Sequence, residues 1–226
     1  MKQDIRQVGT AVESMDKKIE AIVHDFIVKP EEEFDLFFDR QKTVLSLHSP
    51  DCMVKYLATL CEWTGKKDLD LLYSSTINPS SLTAFHEKVH NKAGVAVVEM
   101  LANGEVVGGF CSVPLDGTVA DPDMFIFSLD SNGRYPTPRR FPVKQGLRDR
   151  AYVALRTFPF ESSVVPSPSI VFGVRGPDEP HSLRIWHGYR KHDVTSNLRG
   201  GFEGLDDEVF CEETNQILFV MAIQLK

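Results

Sequence analysis

The residues best suited to chemistry are His86, Glu87 and His90, which form the pattern H-E-x-x-H. On a helix, residues four apart share a face, so the two imidazoles could hold a zinc ion while the glutamate acts as a base on its bound water. The neighbouring Phe85 and Val89 should face the core, which turns both histidines toward the flank of the helix. A third ligand would have to come from a distant histidine without a known zincin spacing. We therefore expect two solvated histidines and no metal, with a zinc hydrolase as an unfavoured alternative.

The sequence contains no other recognised catalytic pattern. It has no G-x-S-x-G elbow, and its one glycine-rich stretch neither follows a clear strand nor opens a helix. The cysteines lie far apart without a C-x-x-C pair, which favours buried thiols in a reducing compartment; they are Cys52, Cys61, Cys111 and Cys211. We predict a protein that is not an enzyme and that carries no cofactor.

Positive charge is concentrated in one segment. The chain has 25 Lys and Arg against 32 Asp and Glu, a net charge of -7, yet residues 134–156 carry a net +6 and leave -13 for the rest. Six candidate binding residues of this segment are called the basic strip below: Arg134, Arg139, Arg140, Lys144, Arg148 and Arg150. A charged run is most often a solvated surface, and the other candidates are an acidic protein partner and nucleic acid. The acidic remainder would repel a polyanion, which favours a localised protein contact over DNA.

Apolar residues recur at regular intervals in the N-terminal part of the chain. A heptad seam with alternating steps of three and four consists of Ile5, Val8, Val12, Met15, Ile19, Ile22 and Phe26. It predicts a coiled-coil helix over residues 1–29 that joins two chains in a homodimer, or alternatively a single amphipathic helix lying on its own domain. Pro30 ends the helix, because proline removes a backbone donor. Residues 30–48 follow as a linker, and its acidic and apolar residues at 31–39 should dock on the domain.

Residues 49–226 are predicted to form an α+β domain. A helix begins at Pro50 and stops at Gly65, and a second, shorter helix precedes a hairpin at Asn103 and Gly104, where both central positions would need positive φ. Strands are predicted at Leu69–Ser74, Val95–Leu101, Glu105–Ser112, Met124–Leu129, Ile170–Val174, Leu183–Trp186 and Ile217–Leu225. Because no alternating βαβ rhythm occurs, we expect a two-sheet antiparallel β-sandwich with flanking helices, preceded by the N-terminal coiled-coil helix.

Length and composition limit the remaining classes. The chain has 226 residues, of which 42% are hydrophobic and 25% charged, as in one ordinary soluble domain or a domain with an appendage. No apolar run approaches the roughly 20 residues that a membrane-spanning helix needs, and the first residues are too polar for a signal peptide. We expect a cytosolic or nuclear protein without membrane insertion.

Several short segments occur in a familiar order. They are Trp63–Lys67, Leu71–Ser75, Val107–Phe110, Asp123–Leu129 and Val171–Gly173. In this order the chain resembles the TLDc domain family, and the resemblance covers roughly residues 60–226. The resemblance implies a β-sandwich flanked by helices, a link to oxidative-stress resistance and, for several members, regulation of the vacuolar proton pump. The family has no established catalytic centre.

Physical roles follow for the matching positions. Gly108 and Gly109 within a strand indicate a bulge or a close backbone approach. The alternating Phe125, Phe127 and Leu129 are expected to face the sandwich core, with Phe172 beside them. The segment from Arg134 to Ser169 departs from the family as a basic loop.

The resulting hypothesis is a non-catalytic interaction module that regulates a larger partner, either a proton-pump subunit or a component of a stress response. A DNA-binding regulator that uses the basic strip is the alternative.

Overall fold

The structure is a computed structural model, and it describes residues 50–75, 78, 82–101, 103–158, 167–176, 181–186, 193–194, 198–205, 210 and 217–226. Within these ranges the chain forms two α-helices, two short 3-10 helices and eleven strands. The α-helices are α1 (Pro50–Thr64) and α2 (Leu82–Val89), and the 3-10 helices cover Gln145–Arg150 and Leu198–Gly200.

The strands follow in chain order. They are β1 (Leu69–Ser74), β2 (Val95–Leu101), β3 (Val106–Cys111), β4 (Thr118–Ala120), β5 (Phe125–Asp130), β6 (Arg139–Pro142), β7 (Ala151–Phe158), β8 (Ser167–Val174), β9 (His181–Trp186), β10 (Asp193–Val194) and β11 (Ile217–Leu225). One sheet has the order β1-β11-β2-β3-β5-β6 and the other β10-β9-β8-β7-β4, with every pairing antiparallel. The predicted α+β sandwich of two antiparallel sheets with flanking helices is confirmed.

The helix α1 starts and stops where its sequence indicates. Pro50 is its first residue, and its apolar stripe includes the buried Leu57 and Leu60. At the other end, the Gly65 N–H donates to the Glu62 carbonyl and the Lys66 N–H to the Cys61 carbonyl, at 3.3 and 3.2 Å. This pair of bonds is a Schellman motif, and it requires the positive φ of 68° that Gly65 adopts.

The six-stranded sheet is buried on both faces. Its inner face packs against the five-stranded sheet, so that Val97 and Ile126 share a cluster with Phe172 of β8. Its outer face packs against α1, where Leu57 and Leu60 share a second cluster with the sheet. Because both faces exclude water, β2 and β3 have no exposed residue at all.

The orientation predicted for β5 was wrong. Phe125, Phe127 and Leu129 do share a face, but it is the outer face beneath α1, whereas Ile126 points toward Phe172 in the inner cluster. Alternation along a strand shows which residues point the same way. It does not show which layer covers them when apolar layers cover both faces.

The two glycines of β3 mark close approaches, as predicted. A Cβ at Gly108 would lie 2.1 Å from the Val97 carbonyl oxygen and 2.6 Å from the Phe127 ring, and a Cβ at Gly109 would lie 2.5 Å from the Phe172 ring. Gly108 therefore leaves space for an aromatic ring on the outer face, and Gly109 leaves space for one on the inner face.

Two further predictions need correction. The segment Arg134–Ser169 is not a continuous loop, because it contains β6, β7, the 3-10 helix Gln145–Arg150 and the start of β8. The hairpin between β2 and β3 forms as predicted, but positive φ is found at Gly104 and not at Asn103. The Gly104 N–H donates to the Leu101 carbonyl, so of the two predicted turn positions only Gly104 is left-handed.

Residues 1–49 lie outside the described residues, and with them the predicted coiled coil and linker. Among the helices that are described, none is long and apolar enough to cross a bilayer.

Candidate functional site

The structure divides the basic strip according to what its side chains contact. Arg134 belongs to the interior: its Nη2 lies 2.5 Å from Oε1 of Glu105, and its Nη1 donates to the Phe210 carbonyl at 3.0 Å. The Glu105 side chain is fully buried, while that of Arg134 is 25% exposed. A buried carboxylate needs such a partner, so Arg134 holds the turn between β2 and β3 against the chain near residue 210.

Three other members of the strip differ from one another in their surroundings. The Arg139 guanidinium lies over the Tyr135 and Phe141 rings, with centroid distances of 4.8 and 5.3 Å. Lys144 is half-buried, and its backbone N–H donates to the Gly201 carbonyl. Arg150 is exposed at the end of the 3-10 helix. Arg139 is therefore engaged by aromatic rings, whereas Lys144 and Arg150 differ in exposure.

Arg140 and Arg148 converge on a groove, which is the candidate functional site. The groove encloses about 630 Å³, within the size range of ligand clefts. Its lining comes from the end of α1, the residues before β2, the ends of β3 and β11, the loop before β5, strands β5 and β6, the 3-10 helix that follows β6, and Glu203. The polar and aromatic members are Trp63, Thr64, Lys66, Phe110, Ser112, Asp123, Phe125, Arg140, Gln145, Arg148 and Glu203.

The two arginines are fixed by backbone carbonyls. Arg140 Nη1 donates to the Trp63 carbonyl at 2.6 Å, and its guanidinium lies 5.9 Å from the centroid of Phe125. Arg148 Nε donates to the Pro122 carbonyl at 3.0 Å, and its Nη2 pairs with the carboxylate of Asp123. A guanidinium has five N–H donors, so these bonds set the direction of each arginine and leave donors for a ligand.

One wall of the groove is the end of α1. The half-buried Trp63 ring packs on its sheet side against Phe125 and Phe127, with centroid distances of 6.3 and 6.2 Å. The Schellman motif at Gly65 then turns the chain so that the exposed Lys66 lines the groove, while the equally exposed Lys67 does not. Helix termination therefore places a cation beside the tryptophan.

The opposite wall depends on Asp121, which the sequence did not indicate as important. This buried carboxylate accepts bonds from the Ser112 N–H and hydroxyl, both at 2.6 Å, and from the Asp123 N–H at 3.1 Å. These bonds fix the loop whose Pro122 and Asp123 hold Arg148. Asp121 is a positioning residue for the groove, and the only signal in the sequence is an acid that opens a short turn.

Cations outnumber acids in the lining of the groove. Lys66, Arg140 and Arg148 oppose Asp123 and Glu203. Asp123 already pairs with Arg148, so Lys66 and Arg140 remain against Glu203 alone, and the lining keeps a net positive charge. Positive charge beside an aromatic ring suits a ligand that combines carboxylates with apolar side chains.

The H-E-x-x-H residues lie away from the groove, on and just after α2. Phe85 and Val89 are buried as predicted, and His86 and His90 lie half-buried on the flank with their rings stacked at a centroid distance of 5.0 Å. His90 Nε2 lies 3.4 Å from the carboxylate of Asp116, while Glu87 is exposed. Within the described ranges, no group of three His, Cys, Asp or Glu side chains could hold a metal ion.

The two cysteines whose side chains are described are free, buried thiols, as the sequence predicted. Burial raises the pKa of Cys111 far above its ordinary value, and the carboxylate of Asp121 raises it further. Burial also raises the pKa of Cys61, with a smaller contribution from Asp68. Neither environment stabilises a thiolate, so neither cysteine has the setting of a catalytic nucleophile.

The predicted oligomerisation residues, Ile5, Val8, Val12, Met15, Ile19, Ile22 and Phe26, lie outside the described residues. The homodimer therefore stays a prediction.

The described residues form a two-sheet antiparallel β-sandwich with flanking helices, and a groove on its surface is lined by aromatic and cationic side chains, of which Arg140 and Arg148 are held by hydrogen bonds to backbone carbonyls. A family model of the TLDc domain matches residues 47–197. The chain belongs to the TLDc domain family, as its motifs indicated. No individual curated protein matches it.

Proposed function

We propose that this TLDc protein is a non-catalytic interaction module that binds an acidic segment of a larger protein in the groove. The observation that carries the proposal is the convergence of Arg140, Arg148 and Lys66 beside the half-buried Trp63. Backbone carbonyls hold the two arginines in place, so a ligand meets donors that are already oriented, and less conformational entropy is lost on binding.

The distribution of the basic strip favours a protein ligand over DNA. Arg134 and Arg139 are engaged by Glu105 and by aromatic rings, which removes them from the surface that a phosphate backbone would need. Arg140 and Arg148 line one groove together with Lys66 and Trp63, and the rest of the chain is acidic. A short carboxylate-rich peptide matches that site better than an extended polyanion.

The biological setting that we propose follows the family. In the cytosol or nucleus, the module would regulate a proton-pump subunit or a component of the oxidative-stress response by binding it. The buried cysteines favour a regulatory role through binding over direct thiol chemistry.

A matched pair of charge reversals tests the proposal. The double variant Arg140→Glu/Arg148→Glu alters the groove, while Arg150→Glu changes an exposed cation that does not line it. Proteins captured from native extract by the wild type are identified by mass spectrometry and then bound as purified proteins at two salt concentrations. We expect the double variant to lose at least about tenfold in affinity and Arg150→Glu to bind as the wild type does. A partner that both variants retain equally would contradict the proposal.

A further inference from the structure

The chain itself contains a segment with the chemistry that the groove suits. Residues 31–39 carry five acidic and four apolar residues and no basic one: Glu31, Glu32, Glu33, Phe34, Asp35, Leu36, Phe37, Phe38 and Asp39. We propose that this segment occupies the groove of its own chain and competes there with an outside ligand. The inference rests on the proposed function, because it assigns a regulator to the same site.

Charge complementarity is the first argument. The lining contains Arg140, which is bonded to the Trp63 carbonyl, together with Lys66 and Arg148, and the segment brings acids on both sides of its apolar residues. Glu203 also lines the groove and would repel these acids, but the three cations outnumber it and Asp123. Because Lys66 follows α1 and Arg140 bonds to the Trp63 carbonyl, we expect the acids of the segment to lie near the end of α1.

Apolar complementarity is the second argument. The Trp63 ring covers Phe125 and Phe127 with one part of its surface, and it is only half-buried. An acidic segment without apolar residues would leave the rest of that ring in water. Phe34, Leu36, Phe37 and Phe38 can cover it while the adjacent carboxylates meet the arginines, in an arrangement of aromatic contact and paired charges.

Chain length permits the contact. The groove lies at the end of α1, about 20 Å from the start of the helix at Pro50, at the usual rise per residue. Residues 40–49 connect the segment to that start, and an extended chain of this length reaches up to about 36 Å. The connection can therefore run back along α1 and place residues 31–39 beside Trp63 without strain.

Because residues 31–39 belong to the same chain as the groove, even a weak contact between them can be populated. A short linker gives the tethered segment an effective concentration on the order of millimolar at the groove. An outside ligand has to compete with that concentration, so the segment sets a threshold for partner binding. Neutralising the segment should lower the threshold and raise the apparent affinity for an acidic ligand.

Hydrogen exchange of the full chain, followed by mass spectrometry, tests the inference. In the wild type, we expect slow exchange in the peptides that cover residues 31–39 and in those that cover the Trp63–Lys67 turn. Lys66→Glu should accelerate exchange of residues 31–39 by roughly tenfold, since it places a like charge in the groove. Lys67→Glu is the matched control, because Lys67 is exposed and adjacent but does not line the groove.

A charge exchange guards against misfolding as the cause of an effect. The variant Glu31→Lys/Glu32→Lys/Glu33→Lys should lose protection, and combining it with Lys66→Glu should recover part of it. Recovery supports the inference, because two independent defects would not correct each other. Residues 31–39 that exchange at the rate of an unprotected peptide in the wild type would overturn it, and so would equal effects of Lys66→Glu and Lys67→Glu.

Three further outcomes distinguish this inference from the proposed function and from binding of the segment to another copy of the chain. Loss of partner binding in the Arg140→Glu/Arg148→Glu variant, with unchanged protection of residues 31–39, would overturn the inference and leave the proposed function standing. Groove-dependent protection without any partner would support the inference and refute the proposed function. Protection that increases with protein concentration would place the segment in the groove of another copy and overturn the intramolecular contact.

Discussion

Both faces of the six-stranded sheet are covered by apolar layers, but the cover differs in kind. The inner face is covered along its length by a second sheet, and its cluster holds Phe172 against Gly109. The outer face is covered by α1, and where that helix ends at Thr64 the cover is incomplete. The groove forms at this point, between Trp63 and the loop before β5. In this protein the face covered by the second sheet contributes to the core, whereas the face covered by one helix leaves a groove beyond the end of that helix.

The largest effect is expected from truncating the inner face. Phe172→Ala removes a fully buried ring and should lower the free energy of unfolding by about 3–5 kcal/mol. Phe125→Ala on the outer face should cost a similar amount and also weaken the groove, since it removes the ring beneath Arg140 and Trp63. Urea unfolding measures the loss of stability in both variants. Ligand binding, corrected for the fraction of folded protein, measures the effect on the groove. Equal loss of binding in both variants would remove the distinction between the faces.

Alanine substitutions at the two neighbouring glycines of β3 compare how well each face of the sheet accommodates an added Cβ. Gly109→Ala places a Cβ against the Phe172 ring, which can shift, and should destabilise the protein by about 1–3 kcal/mol. Gly108→Ala places a Cβ 2.1 Å from the Val97 carbonyl oxygen, which can move only with the backbone, so its cost should be larger. Thermal unfolding of the two variants checks the order. The reverse order would show that the sheet yields more easily than the ring.

A substitution at Asp121 should weaken the loop before β5 that forms one wall of the groove. Asp121→Asn keeps one acceptor oxygen but loses part of the network with Ser112 and Asp123, at a cost of about 1–3 kcal/mol. Because the loop also holds Arg148, hydrogen exchange should increase in residues 121–124 and ligand binding should fall. Asn103→Ala, in the turn between β2 and β3, serves as a control away from the groove. Unchanged exchange of the loop would show that Asp121 does not position it.

The two cysteines with described side chains lie on opposite faces of the six-stranded sheet, and both should make stability depend on alkaline pH. Cys111 belongs to the inner cluster and Cys61 to the outer one, and burial raises the pKa of both thiols. The unfolded chain releases the thiol proton near pH 9, while the folded protein retains it, so stability falls as pH rises above that value. Relative to Cys111→Ala, the wild type should lose about 1 kcal/mol more between pH 8 and pH 10. Identical pH slopes would contradict the raised pKa of Cys111.

The smallest changes in stability are expected from exposed cations. Lys66→Glu and Arg150→Glu alter exposed side chains and should each change the free energy of unfolding by no more than about 0.5 kcal/mol. Only Lys66→Glu should change binding of an acidic ligand, because only Lys66 lines the groove. Chemical denaturation and titration with a purified ligand measure the two quantities separately. A binding defect in Arg150→Glu would extend the site beyond the groove.

Elements with a strong local pattern were predictable. The helix between Pro50 and Gly65, the strand Leu69–Ser74 and the hairpin before Gly104 follow from capping, alternation and turn chemistry. Strand β7 was not predicted, because the arginines and prolines around it resemble a loop. Its Ala151–Leu155 half is buried between β8 and β4, where pairing with neighbours outweighs that local composition.

The sequence by itself determined which side chains share a face and where charge accumulates. Only the tertiary structure decided which layer covers each face of β5, and which arginines of the basic strip are engaged internally. The physical reason is distance along the chain: Arg134 meets Glu105 across 29 positions and Arg140 meets the Trp63 carbonyl across 77. Local patterns constrain neighbours in sequence, whereas a partner this remote is selected only when both sheets and α1 have packed.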